Sequence, residues 1–501
     1  MISRVALVVT FAAVVALVLI FARPISQGAH ALVDATSRLF GSSKSTDLLT
    51  ASTASESTSS TTRTASASVA APVPAPVAQA PAANPQPAPA AVAQPAPSTV
   101  AQASSGGQQL SLSSPGQPLG QDTSGPKVMV RGVTDTEIRF GISAPFSGAA
   151  KELGQNMRLG IEAAFNAANA RGGVNGRQLK LIAADDGYEP ARTADTMKRL
   201  YERDQIFAVV GNVGTPTAAV ALPYALDRKM LFFGAFTGAG LLRSDPPDRY
   251  VFNYRASYAE ETAATVQYLV KVKRLKPSQI AVFAQQDAYG DAGFSGVAKA
   301  IRALGGDENA ILRLHYQRNT VDVDDAVDQL RKSRIPIRAV IMVPAYRAAA
   351  KFIEKTRDLF PGMIYTSVSF VGSTALANEL MLLGKRFASG VIVTQVVPAL
   401  DGHSSLVLDY KAALSKYFPG EQPDYVSLEG YVAANVLITA LRRNGPDLDT
   451  EKLVTTLENL RDLDIGLGTP VSFGRSEHQG VHKVWGTQID DNGRYQPIDL
   501  Q

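Results

Sequence analysis

The 501-residue chain contains no cysteine. That absence excludes disulfides, thiolate zinc sites, a cysteine nucleophile and a lipid-modified N-terminal cysteine. The chain also has little excess charge: its 49 lysines and arginines and 45 aspartates and glutamates give a net charge of +4. No basic block stands out along the chain, so nucleic acid is not an expected partner.

Catalytic signatures are missing as well. The chain has no G-x-G-x-x-G after its first predicted strand, no Walker A loop and no nucleophile elbow. Gly480 lies between His478 and His482 in a predicted loop, so no helix fixes a metal-binding spacing. The adjacent carboxylates of Asp185 and Asp186 point to opposite faces of a strand end, which favours a solvated strand end over an acid/base pair. The sequence therefore predicts no catalytic residue, no metal site and no cofactor.

A long apolar run occurs at the N-terminus. Residues 5–22 are uncharged and almost wholly apolar, and an arginine flanks them on each side. This run is at the short end of what spans a bilayer and is longer than the ~7–15 residues of a usual signal-peptide core. Residues 1–24 are therefore predicted to be an inner-membrane anchor or, alternatively, a signal peptide cleaved after Ala31. Either alternative places the rest of the chain outside the cytoplasm, in the periplasm.

Residues 41–126 have the composition of a linker. The segment is first rich in serine and threonine, and its residues 71–98 then hold nine prolines and no charge. Such a composition cannot bury enough apolar surface to offset chain entropy, and proline favours an extended chain. We expect a disordered spacer, which serves either as a simple tether or as a means of crossing a cell-wall layer.

Regular strand–helix alternation begins near Thr134. Two such blocks predict two lobes, each a doubly wound α/β layer around a parallel sheet. Ligands bind beyond the carboxyl ends of the strands in such sheets. Small and polar residues gather at those ends, in segments 145–148, 211–217, 236–240, 287–290 and 367–372.

The stretch VGNVGTPTAAVA, residues 210–221, predicts one of these strand ends in more detail. Thr215 before Pro216 is typical of a helix start, with the threonine hydroxyl as N-cap and proline at the first helical position. A glycine-bearing turn that aims a helix N-terminus at open space suits an anion. The plain alternative is that Thr215 only caps the helix.

The ordered motifs from IRFGISAPFSG through VGNVGTPTAAVALP to GAFTGAG resemble the first lobe of type I periplasmic binding proteins. The nearest branch is that of the leucine/isoleucine/valine-binding proteins, which feed ABC importers. The resemblance extends from about Thr134 to the C-terminus. It implies two α/β lobes that are joined by a three-crossover hinge and close on a ligand. Lobe 1 would comprise residues 134–255 and 399–465, and lobe 2 residues 256–398 and 466–501.

The resemblance also implies ligand contacts. Gly214 and Thr215 would hold the ligand's carboxylate through backbone N–H groups and a hydroxyl. The other expected ligand-binding residues are Phe236, Thr237 and Gly238 in lobe 1, and Tyr289, Tyr346, Ser369 and Phe370 in lobe 2.

One position departs from the family pattern. Amino-acid binders of this family pair the ligand's ammonium with a carboxylate at the position that Ser369 occupies here. A buried ammonium without a counter-charge is costly. The aromatic residues around the carboxylate site then suggest an acid whose remaining part is uncharged and aromatic or branched, unless Asp287 or Asp186 supplies the counter-charge for an ammonium.

The sequence thus predicts a binding protein that closes over a small carboxylate-bearing ligand and presents it to an ABC importer. The ligand would be an amino acid, an amide, or an aromatic or branched acid. Delivery requires neither a membrane span nor a long linker, however. An alternative therefore stays open: a membrane-tethered sensor or envelope regulator that uses the same fold to bind a protein.

Overall fold

The computed structural model describes residues 129–501. The predicted anchor, residues 1–24, and the predicted linker, residues 41–126, lie outside the described residues. Within 129–501, no helix combines the length and the apolar character needed to cross a bilayer.

The first α/β unit, lobe 1, is built on a five-stranded parallel sheet with strand order β2-β1-β3-β4-β5. Apolar runs such as Ala-Val-Val in β3 are wholly buried, as expected of a parallel sheet that is covered on both faces. The elements are β1 (Glu137–Ala144), α1 (Lys151–Asn169), β2 (Gln178–Asp185), α2 (Pro190–Glu202), β3 (Ala208–Val210), α3 (Thr215–Asp227), β4 (Phe232–Phe233) and β5 (Val251–Phe252).

The chain then enters a second unit, lobe 2, through residues 253–257. Five parallel strands alternate with helices here, in the spatial order β10-β9-β8-β6-β7. The elements are α4 (Tyr258–Gln267), β6 (Ile280–Gln285), α5 (Ala288–Ala303), β7 (Arg313–Tyr316), α6 (Asp324–Lys332), β8 (Ala339–Val343), α7 (Tyr346–Thr356), β9 (Ile364–Ser367), α8 (Ser373–Leu383), α9 (Lys385–Ala388) and β10 (Ile392–Gln395).

The last hundred or so residues contribute to both lobes. Helices α10 (Ser405–Tyr417), α11 (Tyr425–Asn444) and α12 (Thr450–Glu458) return to lobe 1, where α10 and α11 pack on α1 and α12 packs on α11. Strands β11 (Trp485–Ile489) and β12 (Tyr495–Ile498) then extend the sheet of lobe 2 beyond β10 in antiparallel fashion. The predicted architecture of two doubly wound α/β lobes is confirmed.

Close contact between α1 and α11 depends on glycine. A Cβ on Gly160 would come within 1.8 Å of the Ser427 carbonyl oxygen, and a Cβ on Gly430 within 2.4 Å of the Met157 carbonyl oxygen. The two backbones therefore touch at these positions, and α11 is held against the face of lobe 1.

Candidate functional site

The N-terminus of α3 follows the loop 211–214, at the carboxyl end of β3. Gly214 is the N-cap, with φ of +103°, and a Cβ there would lie 2.2 Å from the ring of Tyr188. The prediction that Thr215 caps the helix is wrong, because Thr215 is already the first helical residue. Glycine takes the cap position since this turn needs a positive φ.

The Thr215 hydroxyl, which does not cap the helix, pairs with the next loop instead. It lies 2.7 Å from the Thr237 hydroxyl, and both threonines are fully buried. A backbone hydrogen bond joins the two loops, since Gly214 N donates to Phe236 O at 3.1 Å. Two buried hydroxyls at a helix N-terminus form a group of donors that suits an anion.

Five rings from both lobes pack beside this hydroxyl pair. We name them the aromatic cluster: Tyr188 and Phe236 from lobe 1, and Tyr258, Tyr289 and Phe370 from lobe 2. Phe370 contacts the other four, with ring centroids 4.9 Å from Phe236, 4.6 Å from Tyr289, 6.1 Å from Tyr188 and 6.4 Å from Tyr258. All five residues are buried. The lobes therefore meet through aromatic rings next to the threonine pair.

Ser369 belongs to a buried ionic network rather than standing alone. Arg255 Nη2 donates to Glu261 Oε1 at 2.7 Å and to the Ser369 hydroxyl at 2.5 Å, while Nη1 donates to Glu429 Oε1 at 3.1 Å. The second oxygen of Glu261 accepts from Ser369 N at 2.8 Å and from the Thr394 hydroxyl at 2.6 Å. Burial would lower the pKa of Arg255, but the carboxylates of Glu429 and Glu261 outweigh it and raise that pKa. The carboxylate beside Ser369, that of Glu261, is thus already paired with Arg255.

Asp287 is also hydrogen-bonded within the protein. It caps α5 by accepting from Tyr289 N at 3.0 Å. Its other oxygen accepts from Gln285 Nε2 at 2.7 Å and from Arg318 Nη1 at 3.0 Å. Asp287 is therefore already paired with a cation, Arg318, which it shares with Glu189.

Asp186 lies buried at the end of β2. Its carboxylate accepts from the hydroxyls of Ser143 and Thr193, at 2.9 and 3.1 Å, and from Tyr188 N at 2.9 Å. Burial raises the pKa of Asp186 to about 6, although these hydrogen bonds oppose the rise. Both oxygens of Asp186 thus already accept hydrogen bonds, from β1, from α2 and from the loop between β2 and α2.

The remaining predicted residues divide into two groups. Gly238 and Tyr289 lie at the aromatic cluster, where the Tyr289 hydroxyl donates to Pro344 O at 3.4 Å. Tyr346 begins α7 and makes no ring contact with the cluster. It lines a separate cavity of about 380 Å³ between the lobes, together with Glu152.

Among the site residues that were not predicted are Tyr188, Arg255 and Tyr258. Each lies in a segment between predicted elements, where neither helical nor strand periodicity indicates burial. The available signal was indirect, since Gly214 and Gly238 lack the side chains that would collide with Tyr188 and Tyr258. In the sequence alone, nothing connects those glycines to those tyrosines.

One edge of the cleft is closed by a polar bridge, formed by Glu189 of lobe 1 and by Arg318 and Asn319 of lobe 2. Arg318 Nη2 donates to Glu189 Oε2 at 2.9 Å, and Asn319 Nδ2 donates to Glu189 Oε1 at 2.6 Å. Arg318 also holds Asp287, so the bridge is continuous with the start of α5. The structure is therefore that of closed lobes.

The two spaced histidines have separate partners. His478 Nδ1 lies 2.8 Å from Val251 O, and its ring stacks on Phe252 at 3.8 Å. His482 Nδ1 lies 2.7 Å from Glu260 Oε1. In the part of the chain that the structure describes, no three histidines or carboxylates gather in a way that would hold a metal ion.

Comparison with known proteins gives consistent matches. A sequence profile described as periplasmic binding protein matches residues 137–494. A solved structure of a possible leucine/isoleucine/valine-binding protein from Rhodopirellula baltica SH 1 is 43% identical in sequence; the similarity covers 73% of this chain and 97% of that one, with a TM-score of 0.70. An amino acid binding protein of Pseudomonas aeruginosa is 24% identical over 324 residues, which are 62% of this chain and 79% of the relative.

A fatty acid ABC transporter substrate-binding protein from Thermomonospora curvata shares the fold. Its TM-score is 0.67 at 20% sequence identity, and the similarity covers 74% of this chain and 93% of the other. These three proteins are named for binding, and none of them is named as an enzyme.

Proposed function

Because this chain belongs to the periplasmic binding protein family, whose relatives are substrate-binding proteins and not enzymes, we propose that it binds a small carboxylate-bearing solute for an ABC importer. The family places such a protein outside the cytoplasm. We further propose that the ligand carries a carboxylate but no amine.

The carboxylate assignment depends on a single observation, the buried pair of Thr215 and Thr237 at the start of α3. Their hydroxyl oxygens are 2.7 Å apart, so one donates to the other and one proton is left for a ligand. The N-terminus of α3 adds the positive end of its dipole. A carboxylate provides the acceptors and the negative charge that such a group favours.

The absence of an amine follows from the nearby carboxylates. Glu261 is already paired with Arg255 and Asp287 with Arg318, and both oxygens of Asp186 already accept hydrogen bonds from its neighbours. An ammonium group that entered here would lose its hydration without gaining a carboxylate that is free to pair with it, which costs several kcal/mol. An acid without an amine avoids that cost.

The aromatic cluster favours a ligand that is apolar beyond its carboxylate. Phe236 and Phe370, one from each lobe, stack at 4.9 Å, so a ligand enters only when the lobes separate. A flat or branched apolar group would then pack against these rings on closure, and its binding energy would shift the open–closed population.

The test is a thermal-shift screen of the full-length protein with matched acids. We would compare 3-phenylpropanoate with phenylalanine and 4-methylpentanoate with leucine, since each pair differs only in the amine. An acid at 100 times its Kd adds about 2.7 kcal/mol to the stability of the folded state.

Stabilisation by an acid and not by its amino derivative would support both parts of the proposal. Stabilisation by the amino acid would keep the solute receptor and refute the argument on counter-charge. No stabilisation by any acid would refute the carboxylate receptor and favour the tethered regulator.

A further inference from the structure

Tyr258 stands where the two lobes join. It is the first residue of α4, whose start is fixed by a capping box: Ser257 accepts from Glu260 N at 3.2 Å, and Glu260 accepts from Ser257 N at 2.6 Å. The backbone N–H of Tyr258 donates to Gly238 O of lobe 1 at 2.8 Å. The residue therefore belongs to lobe 2 but is bound to the loop that carries Thr237.

The phenol of Tyr258 reaches the same loop. A Cβ on Gly238 would lie 2.6 Å from Cδ1 of the ring, so the ring rests directly on the glycine backbone. On its other side the ring is 5.4 Å from Tyr289 and 6.4 Å from Phe370. Tyr258 thus borders both the threonine pair and the aromatic cluster.

The hydroxyl of Tyr258 is buried and makes no hydrogen bond of ordinary length and angle. The Thr237 hydroxyl and the backbone of Gly238 lie close enough to it to lower its pKa, and the Thr237 hydroxyl also pairs with Thr215. An unpaired buried hydroxyl costs roughly 1–3 kcal/mol, and such groups are rare in folded proteins. The Tyr258 hydroxyl therefore lies beside the threonine pair without a well-formed hydrogen bond of its own.

We propose that Tyr258 is a ligand-binding residue whose hydroxyl donates to the carboxylate held by Thr215 and Thr237. This assignment rests on the proposed function. Burial raises the pKa of Tyr258 to about 12, with Arg255 opposing the rise, so the phenol keeps its proton at neutral pH and acts as a donor. The carboxylate would then be held by hydroxyls from both lobes, which ties binding to closure.

The test compares Tyr258→Phe with a control, Tyr365→Phe. The control removes a buried hydroxyl that has a partner, since Tyr365 and Thr356 hydroxyls are 2.9 Å apart within lobe 2. Ligand-free melting temperatures are measured for both variants. Kd is measured by calorimetry with 3-phenylpropanoate and 4-methylpentanoate, using whichever binds the unmodified protein.

We expect Tyr258→Phe to leave the ligand-free melting temperature unchanged or raised, and to weaken acid binding about tenfold. Tyr365→Phe should do the opposite, lowering the melting temperature while Kd stays within about twofold. Acid binding that Tyr258→Phe leaves intact would overturn this inference alone. Failure of both acids to bind the unmodified protein would overturn the proposed function and this inference with it.

Discussion

Replacing Glu429 by glutamine should flatten the pH dependence of stability between pH 5 and pH 8. Glu429 lies on α11, is 2% exposed and contacts Arg255 at 3.1 Å. Burial raises its pKa to about 7 from an ordinary 4.5; Arg255 and Arg243 oppose the rise and Glu261 adds to it. The folded state therefore holds a proton that the unfolded chain has already released.

The sign and the size follow from linkage. A carboxyl group whose pKa is higher in the folded state contributes stability that is fully present below its unfolded pKa of 4.5 and is lost as pH rises through about 7. At 1.36 kcal/mol per pH unit between the two pKa values, the loss is about 3 kcal/mol, most of it between pH 5 and 8.

The assay is urea unfolding at several pH values, followed through the fluorescence of the single tryptophan, Trp485. Other groups titrate in this range, so the informative quantity is the difference in unfolding free energy between wild type and Glu429→Gln. That difference should fall by about 2–3 kcal/mol from pH 5 to pH 8. The exposed Glu421→Gln is the control and should run parallel to wild type. A parallel curve for Glu429→Gln as well would refute the raised pKa of Glu429.

Three further substitutions test the site. Thr215→Ala should weaken acid binding tenfold or more, by roughly 1.5–3 kcal/mol, because it removes a hydrogen-bond donor to a charged ligand. An unchanged Kd in calorimetry would contradict the assignment of Thr215 to the carboxylate. Glu189→Ala should weaken binding by up to about fivefold at low salt and much less in 1 M NaCl, since it breaks the partly exposed bridge to Arg318. Equal effects on Kd at both salt concentrations would argue against an ionic bridge. Gly238→Ala should destabilise the ligand-free fold by about 1–3 kcal/mol, because its Cβ meets the Tyr258 ring; an unchanged melting temperature would show that the ring is not packed there.

Strand–helix alternation was sufficient to predict the two lobes, because long apolar strands and amphipathic helices carry strong periodic signals. It did not reveal β7 and α6. Strand β7 has only four residues, Arg-Leu-His-Tyr, and lies at the edge of its sheet, while α6 has nine residues and is mostly polar. Both are held by tertiary packing rather than by propensity.

The site was only partly predictable for a related reason. Loops at strand ends were expected to carry it, and the parallel topology brings Thr215, Thr237 and Phe236 together at one sheet edge. The role of Arg255 could not be predicted, since an arginine between elements suggests an exposed position. Only the fold shows that Glu261 and Glu429, from different lobes, enclose it.

The most direct test of an amine-free carboxylate site is a calorimetric comparison of three compounds on the full-length protein: 4-methylpentanoate, its methyl ester and leucine. A carboxylate site formed by buried hydroxyls, with every nearby carboxylate already paired or hydrogen-bonded, predicts that the acid binds at least tenfold more tightly than either of the others. Leucine binding as tightly as the acid, or more tightly, would contradict it.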